Sequence, residues 1–194
     1  MSTPRVVGIS GNFTGPSRKF NLVEALAAKT AAALGQQYAC FDLLDAGQTL
    51  GSTYARSDAR GSLDRVLSEI EQSSALIVGS PVYKASYAGL LKHLFDVLDM
   101  NALKGRPLIV AATGKAPQHA LMVDHQLRPL FAFFQSNVVP TGVFVTDADY
   151  TADGHFGDRI LKQIDAASAE VLRLVIGANC VASGPGKGTP CGGV

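Results

Sequence analysis

Three apolar runs, Val6–Ile9, Ala75–Val78 and Leu108–Ala111, each break into a short polar loop containing Gly or Pro, and a helical pattern follows each loop. The loops run Ser10–Arg18, Ser80–Lys84 and Thr113–Pro117. Near-continuous apolar strands of this kind are hidden from water only when helices cover both faces of a parallel sheet. In an open parallel sheet, ligands bind outside the carboxyl ends of the strands, where the strand order reverses. Three such loops on one edge point to a single ligand site.

The rest of the chain continues the alternation. Leu22, Leu26 and Leu34 mark a helix over 19–34, and 38–43 reads as a second strand. Leu63, Val66, Leu67 and Ile70 fall at i, i+3, i+4 and i+7, the stripe of an amphipathic helix. Further helices are expected over 87–98, 118–134 and 158–176. A fifth strand is expected over 138–145, interrupted by Pro140-Thr141-Gly142. The expected fold is a doubly wound five-stranded parallel sheet in three α/β/α layers. It would occupy 1–177 as one domain, with 178–194 a Gly/Pro-rich tail that is disordered or ordered only by a partner. The polar stretch 46–60 reads either as a long connection or as a flap near the site.

Composition narrows the function. At 194 residues, 47% hydrophobic and 17% charged, the chain suits one well-buried domain. A net charge of +1 gives no nucleic-acid footprint and no strongly acidic electron-transfer surface. No apolar run approaches the roughly 20 residues that span a bilayer, and the amino end lacks a leader pattern, so a cytoplasmic protein with no membrane association is expected. Cys40, Cys180 and Cys191 are an odd count without metal-ligand spacing, which suits a reducing compartment, and Cys40 reads as core.

The first loop carries anion chemistry. Ser10, Asn12, Thr14 and Ser17 offer short polar groups, Gly11 and Gly15 permit close backbone approach, and Arg18 sets a forked cation where the next helix begins. Free N–H groups at a helix start together with an Arg suit a monophosphate. The loop is neither a Walker A loop, since Pro16-Ser17 stands where Gly-Lys is needed, nor a GxGxxG fingerprint, since Gly8-Ile9-Ser10-Gly11 lacks the middle glycine. Gly184–Thr189 looks like a nucleotide loop but has no strand before it. In the second and third loops, Pro81-Val82-Tyr83 gives a rigid apolar edge and Thr113-Gly114-Lys115 an exposed turn, which together suit a flat heteroaromatic ring. The plainer alternative is that Pro81 ends a strand and Tyr83 caps the core.

Other chemistries fare worse. His119 and His125 lie six apart, off a shared helix face, and His93 and His155 have no ligand partners in sequence, so no metal site is expected. Asp147, Asp149 and Asp153 miss the EF-hand spacing. No Gly-x-Ser-x-Gly elbow exists, and nothing in sequence joins Ser80, Asp124 and His119 into a triad.

Ser10 to Arg18 with its Pro16-Ser17-Arg18, the stretch Ser80 to Lys92, and Ala112-Thr113-Gly114 together resemble the flavodoxin-like NAD(P)H-dependent FMN reductases over 5–176. Within that family the likeness is to reductases that feed reduced FMN to two-component alkanesulfonate and methanesulfonate monooxygenases. The resemblance implies that Ser10, Ser17 and Arg18 hold the FMN phosphate. Pro81, Val82, Tyr83 and Lys84 would line the ring and ribityl chain, with Thr113 and Gly114 approaching from the other side. NADH or NADPH would be the hydride donor, NADH favoured, its nicotinamide stacked on the exposed ring face, and no catalytic acid or base is called for.

The resemblance also implies a sulfonate monooxygenase as partner and a π-bulge in the 118–134 helix at His125, where relatives commonly carry Tyr. That helix is apolar on more than one side, with Leu121, Met122, Leu127, Leu130, Phe131, Phe133 and Phe134, which points to a homotetramer, or a dimer in the alternative. Two other readings remain: an FMN-retaining quinone or azo reductase, and a non-catalytic flavodoxin-like electron carrier. The near-neutral charge and absence of Trp rank the carrier last.

Overall fold

The computed structural model describes residues 5–13 and 18–182. Its sheet holds β1 (Arg5–Ser10), β2 (Gln37–Asp42), β3 (Ala75–Pro81), β4 (Pro107–Thr113), β5 (Asn137–Val138) and β6 (Val143–Val145). The order is β2-β1-β3-β4-β5, with β6 also on β4, and every pairing is parallel. The helices are α1 (Arg18–Leu34), α2 (Gly61–Gln72), α3 (Gly89–Asp96), α4 (Arg128–Phe133) and α5 (Asp158–Ala182). This is the doubly wound α/β/α arrangement. Its strand order reverses between β1 and β3, and in open sheets of this kind ligands bind outside the carboxyl ends near such a reversal.

Period-two alternation divides the core into two layers. Val7, Ile9, Leu76, Val78, Leu108 and Val110 meet α2, α3 and α4 through residues such as Leu63, Leu67, Leu91, Phe95 and Phe131. Val6, Ala75, Ile77, Ile109 and Ala111 meet α1 and α5 through Leu22, Leu26, Ile160 and Ile164. α1 rides unusually close to the sheet. A Cβ on Gly8 would stand 2.7 Å from Val23 Cγ1 and 2.7 Å from Cys40 Sγ, and one on Gly79 would collide with Val23 Cγ2. Cys40 is packed against this layer, and burial, with the charge of Glu24 adding to it, pushes its thiol up to about 12.

The fifth strand is split as its sequence foretells. β5 pairs with Pro107–Leu108 and β6 with Ala111–Thr113, while Pro140, which has no N–H to give a ladder, lies between them. The 118–134 helix is broken into three regimes: a 3₁₀ turn Pro117–Ala120, a π turn Val123–Leu127 containing His125, and α4. Pro129 in the first turn of α4 has no N–H to give the hydrogen-bond ladder, which changes register beside it. Met122, Leu127, Leu130, Phe131 and Phe134 are buried, whereas Leu121 is 61% and Phe133 66% exposed.

The 46–60 stretch is a packed connection rather than a flap. Ala46, Leu50 and Ala59 are buried in the core. Arg56 makes a two-pronged bond to Glu71 at 2.7 and 3.0 Å, and His93 Nε2 lies 2.9 Å from the Thr53 carbonyl. α5 continues to Ala182, six residues beyond the expected end, and the rest of the Gly/Pro-rich tail lies outside the described residues. No helix among the described residues is long and apolar enough to cross a membrane.

Candidate active site

Backbone hydrogen bonds tie the three carboxyl-end loops into one wall. The Gly11 N–H donates to the Gly79 carbonyl at 2.7 Å, joining the first loop to β3. The Val82 N–H donates to the Thr113 carbonyl at 2.8 Å, joining the second loop to the third, and the Gly114 N–H donates to Val145 at 3.0 Å, joining the third to β6. Leu43 N–H reaches the Asn12 carbonyl at 3.1 Å and ties in the end of β2. Because each bond starts where a ladder ends, the sheet's own register sets the shape of the edge.

The second loop is held in a strained tight turn. Tyr83 and Ser86 exchange both N–H···O bonds, at 2.7 and 2.9 Å, across Lys84 and Ala85, whose φ values are 47° and 67°. Two left-handed residues in succession are what a two-residue hairpin turn demands, and Asn-Gly normally fills that place. Here neither residue is Gly or Asn, so the surroundings must hold the turn. The buried Ser80 hydroxyl does part of this, accepting the Ala88 N–H at 3.1 Å and donating to the Pro81 carbonyl at 2.9 Å. On the outer side the Phe13 ring stacks on Tyr83, centroids 5.1 Å apart and 16° between planes. Strain of this kind gathers at ligand clamps. Ala85→Gly is expected to stabilise the protein by about 1 kcal/mol, raising Tm by about 2–4 °C. A lower Tm in thermal unfolding would contradict the strain.

Between the second and third loops and the segment after β6 lies a cavity of about 400 Å³. Pro81, Val82, Tyr83 and Val145 give it apolar walls, and Thr113, Gly114, Lys115, His119, Thr146 and Asp147 its polar ones. Thr113 Oγ1 and His119 Nδ1 are buried without a hydrogen-bond partner among the described residues. Leaving such a group unpaired costs about 1–3 kcal/mol, a penalty a bound molecule can relieve. Next to this wall the Thr146 N–H and hydroxyl both donate to Asp149 Oδ2, at 2.8 and 2.9 Å, and Arg159 Nε donates to Oδ1 at 3.1 Å. Burial would raise the Asp149 carboxyl, but these bonds outweigh it and hold it below the usual carboxylate range.

A larger hollow of about 760 Å³ lies beyond Thr146. Its arginines are already engaged, Arg128 with Asp124 at 2.7 Å and with the Val139 carbonyl at 2.7 Å, and Arg159 with Asp149. The 400 Å³ cavity, with its unpaired groups, is the better ligand site.

The structure brings five of the ten expected residues to one cavity. Pro81, Val82, Tyr83, Thr113 and Gly114 line the cavity. Ser10 and Asn12 are buried at the end of β1 on the same edge, and Arg18 opens α1, so a helix start follows the first loop. Lys84 sits at the tip of the strained turn and does not line the cavity. Thr14, Gly15, Pro16 and Ser17 lie outside the described residues. The residues that sequence reasoning missed are His119, Val145, Thr146, Asp147 and Tyr150. Applying the same carboxyl-end rule to the short fifth strand would have reached the last four, and His119 gave no signal because it was weighed only as a metal ligand or a triad member.

Known proteins share this architecture and much of the sequence. An oxidoreductase from Corynebacterium diphtheriae superposes with a TM-score of 0.80 at 30% identity, covering 91% of this chain and 99% of that one. The NADH-dependent FMN reductase SfnF of Pseudomonas fluorescens is 46% identical over 180 residues, 92% of this chain and 96% of its own. The FMN reductase (NADPH) of Pseudomonas aeruginosa is 48% identical over 151 residues, 77% of this chain and 81% of its own. With the family model for NADPH-dependent FMN reductases matching residues 4–151, all three loops included, the chain belongs to the NADPH-dependent FMN reductase family.

Proposed function

We propose that this chain is a cytoplasmic FMN reductase that oxidises NADH or NADPH, NADH favoured, and releases reduced FMN to a sulfonate monooxygenase. The observation that carries the reading is the cavity at the carboxyl ends of β3, β4 and β6, with apolar walls and two buried polar atoms in its lining residues that have no partner among the described residues. FMN, when bound, supplies the hydride-accepting ring. Ser10, Asn12, Ser17, Arg18 and the start of α1 hold its phosphate. Pro81, Val82 and Tyr83 give the ring one wall and exclude water from it, the turn that carries Lys84 stands beside it, and Thr113 with Gly114 bounds the other side. What these residues contribute to rate is orientation, because bringing donor and acceptor into line is worth several powers of ten without any protein acid or base.

The NADH preference is supported by the similarity to SfnF of Pseudomonas fluorescens, which is named for NADH. The monooxygenase partner is supported by the resemblance of the second loop to reductases of two-component systems. Exposed Phe133 and Met100 beside a groove of about 730 Å³ that includes His125 of the π turn support a homotetramer.

Purified protein assayed for NADH and NADPH oxidation while FMN, FAD and riboflavin are varied tests the reading. Saturation with FMN, and an apparent affinity for riboflavin at least about tenfold weaker for want of its phosphate, is expected. No FMN-dependent oxidation of either nucleotide would sink it. Turnover that needs an added quinone or azo dye while flavin stays bound would favour the flavin-retaining alternative.

A further inference from the structure

The 400 Å³ cavity and the 760 Å³ hollow meet at Thr146, which lines both. The wall between them is built from shared segments. The 3₁₀ turn Pro117–Ala120 gives His119 to the cavity and Pro117 and Ala120 to the hollow. The segment at the end of β6 gives Val145 and Asp147 to the cavity, and Phe144 and Asp149 to the hollow. A nicotinamide dinucleotide is two nucleotides joined by a diphosphate, so a donor whose nicotinamide reacts over the cavity must lay its adenosine half on a neighbouring surface.

The hollow has the chemistry for that half. Arg128 is fixed on three acceptors, Asp124 at 2.7 Å, the Val139 carbonyl at 2.7 Å and the Pro140 carbonyl. Arg159 is fixed likewise on Asp149 at 3.1 Å, Gln163 at 3.2 Å and the Phe144 carbonyl at 3.4 Å. Guanidiniums held this way have little charge left for a phosphate, yet their planar faces stack on an aromatic ring. Pro117, Pro140 and Phe144 add apolar surface for the same ring. Asp124 and Asp149 balance the two cations, so the charges lining the hollow sum to zero. Asp124 Oδ2 accepts no hydrogen bond among the described residues, and the side chain is 62% exposed. A carboxylate oxygen left free in this way accepts a ribose 2′-hydroxyl and repels a 2′-phosphate. We infer that the hollow receives the adenosine half of NADH, the adenine against the fixed guanidiniums and the ribose 2′-hydroxyl on Asp124, which makes Asp124 a specificity-determining residue against NADPH. This rests on the reading that the chain oxidises a nicotinamide dinucleotide.

Two truncated probes separate the halves of the donor. Reduced nicotinamide mononucleotide carries the reacting ring without the adenosine half, and ADP-ribose carries the adenosine half without the ring. Gln163 lines the hollow and not the cavity, so Gln163→Trp fills the hollow from α5. With FMN in excess, calorimetry is expected to show ADP-ribose binding wild type with a Kd of about 1 mM or tighter, and binding Gln163→Trp at least about tenfold more weakly. 2′-Phospho-ADP-ribose is expected to bind wild type about tenfold more weakly than ADP-ribose. Gln163→Trp is expected to raise KM for NADH by the factor that it costs ADP-ribose, at unchanged kcat, and to leave KM for the reduced mononucleotide as in wild type. Asp124→Asn, at an exposed position, is expected to raise the NADPH-to-NADH ratio of kcat/KM by about threefold. No binding of ADP-ribose to wild type, equal binding by Gln163→Trp, or tighter binding of the 2′-phospho form overturns the inference. So does a KM that rises for both donors together, which marks damage to the cavity, and an unchanged ratio in Asp124→Asn removes the ribose contact. FMN-dependent NADH oxidation without ADP-ribose binding overturns this inference alone, whereas ADP-ribose binding without oxidation of either donor overturns the functional reading.

Discussion

Gly114→Val is expected to lower FMN-dependent NAD(P)H oxidation by about a hundredfold while the far-ultraviolet signature of the fold is kept. A Cβ at this position would stand 2.9 Å from Phe144 Cζ and 3.1 Å from both Phe144 Cε2 and His119 Cβ. Two of these atoms belong to an aromatic ring held on β6 and the third to the 3₁₀ turn, so no flexible end is there to yield. The loop itself must move instead. Its N–H is bonded to Val145 and the neighbouring Thr113 carbonyl holds Val82, so a displacement at Gly114 travels into both walls of the cavity. Misplacing a positioning element by about 1 Å costs two orders of magnitude in rate where catalysis is orientation. Gly114→Ala would move activity in the same direction by less. Steady-state kinetics with FMN varied provide the check, and full activity in Gly114→Val would place the flavin elsewhere.

Gly79→Ala is expected to destabilise the protein by about 2–3 kcal/mol, near the upper end for overpacking, and to lower Tm by about 5–10 °C. The new methyl would fall on Val23 Cγ2. Val23 is buried on α1, and a β-branched side chain in a helix keeps essentially one rotamer, so the helix must lift from the sheet. The Gly79 carbonyl also receives the Gly11 N–H at 2.7 Å, so the same shift disturbs the first loop. Pairing it with Val23→Ala should make the two losses less than additive, because the second change vacates the space the first one needs. Thermal unfolding of the two single variants and the double variant measures this coupling. A Gly79→Ala protein that melts like wild type would refute the close approach of α1.

Much of the fold was legible because its strands obey one rule. β3 is buried along its whole length, and a sequence that spends Ala75-Leu76-Ile77-Val78 on one short run can only be a central strand. Pro140 marked the break between β5 and β6 for a similarly local reason, its missing N–H. The π turn around His125 was legible through family likeness and through Pro129 just beyond it.

What the sequence hid depends on distant contacts. Lys84 and Ala85 carry none of the Gly or Asn signals of a left-handed turn, because the turn is imposed by the Ser80 hydroxyl and the neighbouring wall. The stretch 46–60 looked polar and mobile, yet Arg56 reaches fifteen residues on to Glu71 and Leu50 drops into the core. His119 becomes a site residue only because the 3₁₀ turn curls it back onto Gly114, and no spacing rule along one helix foresees that. The tail 178–194 was read by composition, while α5 carries helix to Ala182 before the described residues end.

In the proposed reaction FMN is a substrate that leaves reduced. The most direct measurement mixes a trace of protein, without oxygen, with NADH and many equivalents of FMN, and counts flavin reduced per subunit from the loss of its visible absorbance. Reduction is expected to continue until NADH or FMN is exhausted, far beyond one flavin per subunit. Reduction that stops at one equivalent and resumes only when a quinone or azo acceptor is added would contradict it.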